Sequence, residues 1–332
     1  MSKRSWRWLK TTMSRLDDLI DLVQTNNDTY LIHPVRNGRA AYIQTDDVCE
    51  LTIKSWLQID SRRRQEACFG RLHGLGIAMT KAKKSKVLEY CSDEIDDPAL
   101  VAALGIAGVA ETAAVHEAIR EFAPIAWLAE KDGGRFKSFH DILGDLRERL
   151  PEHENQALHQ ILENIAERRA NRNHFFHDQE QVGLTVDEKH CLLAFCDLYT
   201  LLEQLFGEEF RRKVQANAIV RAQIAVVRLR LAAYDGRLVY TVYQEQLRDS
   251  GALQVSDVDV GYEVHSIYRD PVTFMARIRD HYLSVLYERQ AEIDRIDALR
   301  RPKAHHRRDR ERFSAEINQL RWVVDNYLGG MP

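Results

Sequence analysis

Cysteine, proline and methionine are scarce: the 332 residues hold five Cys, seven Pro and five Met. Cys49, Cys68, Cys91, Cys191 and Cys196 form no C-x-x-C pair, and no histidine pair completes a zinc pattern. A structural zinc site and a redox dithiol are therefore not expected, and neither is any other metal or cofactor. An odd set of thiols needs no disulfide framework in a reducing compartment, and Cys191 and Cys196 lie in an apolar run where Cys acts as a small hydrophobe. Long apolar runs are missing too. The longest, "ALVAALGIAGVA" at 99–110, is short for a bilayer and rich in Ala and Gly. The N-terminal "MSKRSWRWLKTTMSRLDDLIDLV" is basic at first but has no continuous apolar core and no small-residue cleavage site. It reads as an amphipathic helix rather than a signal peptide, so the expected location is cytoplasmic, with no membrane partner. A phosphate-cradling Gly loop, a Walker sequence and a nucleophile elbow are absent, which argues against an NTPase or an α/β-hydrolase. The net charge of -3 provides no global field for nucleic acid, so such binding would come from local basic patches.

What remains is a helical chain, 45% hydrophobic and 29% charged, with enough apolar material in either half for a core. A first helix is expected over about 5–25, followed by a connection through "TNNDTYLIHPVRNGR". "TDDVCELTIKSWLQID" then starts a helix, with Thr45 as N-cap and Asp46 and Asp47 in the first turn. Another helix runs from about 62 to 84 and ends in "KAKKSK". Residues 98–130 break at Gly105, Gly108 and Pro124, and "KDGGRFKS" is a loop. Ser138 caps a helix, with Asp141 three residues on, and Pro151 starts the next. "GLTVDEKHCLLAFCDLYTLLEQLFGEEF" begins with Thr185 and Glu188 as a capping box and stops at Gly207. Residues 220–243 fit a helix through Val220, Ile224, Val227, Leu231 and Tyr234, and also a hairpin around Asp235-Gly236; the helix is the preferred reading. "VGYEVHSIY" reads as a strand, Asp270-Pro271 opens a long helix, and a last helix runs to Tyr327. The expected organisation is an N-terminal helix at 1–30, a helical domain at 31–212, and a mostly helical accessory region at 213–332.

The run "ERRANRNHFFHDQE" at 167–180 concentrates arginine and histidine. Arg-x4-His spacing occurs at Arg135/His140, Arg169/His174, Arg172/His177, Arg300/His305 and Arg301/His306, so spacing alone selects none of them. Only the pairs in 169–177 lie between two strongly patterned helices. Arg172 continues the Leu158/Ile165 series and so falls on an inward stripe. A charge there is costly without a carboxylate or phosphate partner. His177, five residues on, is about 140° away around an ideal helix. The two converge only if the helix breaks or a second chain completes the site. The plainer reading is a basic helix end, since cations favour helix C-termini. Phe175 and Phe176 read as core, with base stacking as the alternative. The second basic run, "RRPKAHHRRDRER" at 300–312, reads as a solvated linker or as a phosphate-contacting patch.

"RNHFFH", with Arg172, Asn173 as a polar residue and then His177, resembles the signature of the HEPN superfamily, small helical domains with an Arg-polar-x-x-x-His motif. The resemblance covers about residues 40–210, with "DDVCELTIKSWL" and "SFHDILGDLRERL" as candidates for the acidic, apolar helix that precedes the motif. It implies a mainly α fold, a HEPN-like bundle with an accessory region. It also implies a metal-independent endoribonuclease of the toxin or antiphage-defence kind, acting on RNA as a homodimer whose two motifs share one site. Arg172 would stabilise the phosphate, His177 would be the general acid or base, and Asn173 would orient His177 or bind phosphate. His174, with Arg169, is the secondary candidate register. The alternative is a non-catalytic HEPN-like protein that binds a nucleotide or a protein partner. Residues 213–332 would be the place for a regulatory partner.

Overall fold

The computed structural model describes residues 15–124, 127–128, 136–177, 187–249 and 262–329. Among the described residues there are thirteen α-helices, a terminal π-turn and no strand. The protein is mainly α, as the sequence indicates.

The first two helices, α1 (Arg15–Ile32) and α2 (Pro34–Gly74), are separated only by His33. The expected connection through 25–39 is therefore helical, and Thr45 caps nothing: it sits inside α2, its hydroxyl donating to the Ala41 carbonyl. The turn-forming residues are held in helix by tertiary hydrogen bonds. Asn26 donates to Thr45 Oγ1 at 2.7 Å, Asn27 Oδ1 accepts from Tyr199 at 2.6 Å, and Asn37 donates to the Thr29 carbonyl at 2.8 Å. Such partners outweigh the few tenths of a kcal/mol, roughly, that Asn costs a helix.

The chain forms two compact units, one holding 50–156 and the other 13–49 with 157–332. In the first, α2 ends at Gly74. "KAKKSK" opens rather than closes a helix, α3 (Lys81–Cys91), because Thr80 caps it by accepting from Lys83 N–H. The expected breaks at Gly105, Gly108 and Pro124 are present. Helix α4 (Asp97–Leu104) ends on left-handed Gly105 (φ 73°), and α5 (Val109–Phe122) follows. The pair is bent by 107°, and no single described helix is long and apolar enough to cross a membrane. Cys68, Leu72, Val87, Leu100, Leu104 and Val115 make this unit's core. Ser138 and Asp141 complete a reciprocal capping box at α6 (Phe139–Arg149). Pro151 starts a turn, not a helix: Glu154 N–H and the Asn155 side chain both bond its carbonyl, delaying α7 to Gln156–His177.

In the second unit, α8 (Glu188–Ala216) is capped by Asp187; Thr185 lies outside the described residues. Gly207 does not stop α8. It kinks it, with φ 53° and ψ -127° that glycine alone adopts readily, and helix resumes to Ala216. Helices α9 (Ala218–Asp235) and α10 (Arg237–Asp249) occupy the stretch that also fits a hairpin. The expected strand at 260–268 is mostly α11 (Tyr262–Arg269), where Ile267 is fully buried and Tyr268 donates to Asp28. Helix α12 (Pro271–Asp297) opens on the Asp270 cap, and α13 (Ala304–Val323) runs into the π-turn at Val324–Leu328. Helix α9 packs against α1, α8, α10, α11 and α12. Phe195, fully buried, stacks obliquely on Tyr30 at 5.4 Å and on Tyr199 at 6.2 Å. All five cysteines are free. Burial pushes Cys49, Cys68, Cys191 and Cys196 up to about 12, where thiolate is scarce at neutral pH.

Candidate functional site

Helix α7 presents one apolar stripe to the core: Leu158, Ile161, Leu162 and Ile165 are buried. One turn further the stripe becomes charged. Arg168 continues Ile161 and Arg169 continues Leu162, seven positions on in each case. Both arginines have carboxylates. Arg168 forms a hydrogen-bonded ion pair with Asp197 of α8, and Asn164 donates to the same carboxylate at 3.4 Å. Arg169 Nη1 lies 3.3 Å from Asp46 of α2, whose side chain is only 4% exposed. Charges on an inward stripe need such partners, and here α2 and α8 supply them.

Arg168 is nine residues from the end of α7, and Asp197 is nine residues into α8. Their contact joins α7 to α8, and the Arg–His run lies between that contact and the end of α7. Helix α7 stays helical through His177. The helix break that would bring Arg172 and His177 together within one chain is therefore absent, and five positions on a continuous helix remain about 140° apart. The side chains of Arg172, Asn173, His174 and His177 lie outside the described residues. Arg169, of the secondary register, is described, and it faces Asp46.

Sequence reading assigned no role to Asp46 beyond a first helical turn, and none to Asp197. The available signal was an acid inside an apolar run, "CLLAFCDLYTLL" for Asp197. Glu188, read as a capping-box residue, instead accepts from Tyr30 Oη at 2.8 Å and Arg230 Nη1 at 3.3 Å. Burial raises the Tyr30 hydroxyl above its ordinary range, keeping it a donor.

The basic run at 300–312 is helical from Ala304 onward. Arg310 is neutralised by Asp297, and Arg312 lies near Asp309 and Glu316. Arg300, Arg301, Lys303, Arg307 and Arg308 are exposed, and no acid stands in the first turn of α13. The strip is thus a cationic surface set against the positive end of a helix dipole. Among the described residues no group of three or more His, Cys, Asp or Glu is arranged to hold a metal ion. Comparison with protein-family profiles, curated proteins and solved structures returns no match.

Proposed function

We propose that this protein is a HEPN-like, metal-independent endoribonuclease of the toxin or antiphage-defence kind, whose site is completed by a second copy of the chain. The observation that supports the reading is the inward placement of charge on α7, just before the Arg–His run. Arg168 and Arg169 are anchored to Asp197 and Asp46, and Arg172 follows them by one helical turn. Arg172 would fork onto the phosphate oxygens and stabilise the developing charge. One His177 would take the proton from the 2′-hydroxyl, whose oxygen attacks phosphorus. The His177 of the second copy would give a proton to the departing 5′-oxygen. Asn173 would orient His177 or bind phosphate. The products are a 2′,3′-cyclic phosphate and a 5′-hydroxyl. Because helical geometry separates Arg172 from His177, the reading requires a dimer.

Single-stranded RNA incubated with the protein in EDTA is expected to be cut, leaving 2′,3′-cyclic phosphate ends. Sedimentation is expected to show a dimer of the 38.5 kDa chain. Metal-dependent cutting to 5′-phosphate ends would refute the mechanism, and a monomer at micromolar concentration would refute the composite site. RNA binding without cutting would favour the non-catalytic alternative.

The cationic strip of α13 gives a second expectation. Changing Arg300, Arg301, Arg307 and Arg308 together to Ala should weaken RNA binding uniformly across sequences. It should also flatten the plot of log affinity against log salt, by about 0.7 for each phosphate contact removed. An unchanged salt slope would assign the strip to solvent.

A further inference from the structure

Beside the start of α8, where α9 meets α10, lies a cleft of about 150 Å³. An enclosed cavity of about that size takes one flat six-membered ring; this cleft is open where Tyr234 and Tyr240 are half-exposed, so a second fused ring would lie across them. Its lining combines aromatic and charged groups: Tyr234, Tyr240, Tyr243, Glu188 and Arg230. Tyr243 is buried, whereas Tyr234 and Tyr240 are each 51% exposed, so neither ring owes its place to the core alone. The carboxylate of Glu188 spends one oxygen, Oε1, on Tyr30 and Arg230. Its second oxygen, Oε2, has no hydrogen-bond partner among the described residues. Lys189 sets an ammonium 5.9 Å from the Tyr234 ring centroid.

We infer that this cleft binds a guanine base. The inference rests on the ribonuclease reading only in taking single-stranded RNA as the base's source. Exposed tyrosine faces stack on bases without regard to their identity. The paired charges supply the selection. Guanine alone among the four bases carries two adjacent donors, N1–H and N2–H2, next to two acceptors, O6 and N7. A carboxylate with an open oxygen meets the donors, and a guanidinium alongside it sets positive charge against the acceptors. Glu188 and Arg230, 3.3 Å apart, present that order of charge. The Lys189 ammonium, 5.9 Å from the Tyr234 ring centroid, suits the attached phosphate.

The full-length protein should be titrated with GMP, AMP, CMP and UMP by calorimetry, then challenged with short oligoribonucleotides with and without guanosine. GMP is expected to bind, the other three roughly tenfold or more weakly, and the guanosine-containing oligomer to displace GMP. Tyr234→Ala should weaken GMP about tenfold. This ring is half-exposed, so its loss leaves the fold intact. Glu188→Gln, which keeps an acceptor for Tyr30, should abolish the preference for GMP over AMP. No GMP binding at millimolar concentration, equal binding of all four nucleotides, or binding indifferent to both substitutions would overturn the assignment. Failure of the oligomer to displace bound GMP would overturn RNA as the source. His177→Ala should leave GMP affinity unchanged, so loss of cleavage with GMP binding intact counts against the nuclease reading alone.

Discussion

Replacing His177 by Ala is expected to lower RNA cleavage roughly 10²-fold or more, the scale for losing a general acid or base, with helix content by circular dichroism unchanged. His174→Ala should cost less. The double substitution should add little to His177→Ala, because residues acting as a unit are not additive. The choice between registers now has a structural argument behind it. In the Arg169/His174 register the arginine already faces the buried carboxylate of Asp46 at 3.3 Å. A guanidinium so engaged is poorly placed to receive a phosphate. In the Arg172/His177 register the arginine lies one turn beyond both ion pairs, and Asn173 stands at the polar position. If His174→Ala abolished cleavage in a folded protein while His177→Ala left it intact, the assignment would be wrong.

Asp197→Ala is expected to destabilise the protein by about 3 kcal/mol, the lower end for breaking a buried ion pair. The side chains of Arg168 and Asp197 are 15% and 18% exposed, so solvent screens them little. Arg168 Nη2 has no hydrogen-bond partner among the described residues, and removing Asp197 would take the guanidinium's carboxylate away. Asn164 would lose a partner too. The double variant Arg168→Met with Asp197→Leu, which removes both charges and keeps apolar bulk, should recover most of the loss. Urea denaturation read by circular dichroism would measure all three proteins. A cost below roughly 1 kcal/mol for Asp197→Ala would mean that the pair behaves like a surface ion pair.

The elements readable in the sequence are those whose signals are local. The Ser138/Asp141 box, the Asp270-Pro271 start and the Leu158/Ile165 stripe each lie within one or two helical turns, and each is present. The continuity of α2 was not readable, because what keeps Asn26, Asn27 and Asn37 in helix is bonding to residues elsewhere in the chain. Helix α9 was ambiguous for a different reason. Val220, Ala222, Ile224, Ala225, Val226, Val227 and Leu229 are all buried. A helix covered on most sides carries no clean 3.6-residue stripe, so the same residues also alternate. Within the candidate site, the inward placement of charge was visible in α7, but its partners were not. Asp46 and Asp197 are 123 and 29 residues from the arginines they meet, and no local pattern pairs such positions.

The second unit is assembled from two separated pieces of chain, 13–49 and 157–332, and this bears on how the protein is made. Asn27 waits for Tyr199, 172 residues downstream, and Asp28 for Tyr268, 240 downstream. At ribosomal rates of about 5–20 residues per second, these partners emerge on the order of ten to fifty seconds later. Until then Tyr30 and Leu31, both fully buried in the finished protein, have no core to enter. The stretch 50–156, which belongs to the first unit, is synthesised in full during that interval. Helix α1 is therefore the segment whose apolar residues stay uncovered longest during synthesis. A ribosome stalled near residue 195, which leaves the stretch 50–156 outside the exit tunnel, should hold the α5–α6 region protease-resistant while α1 is still cut.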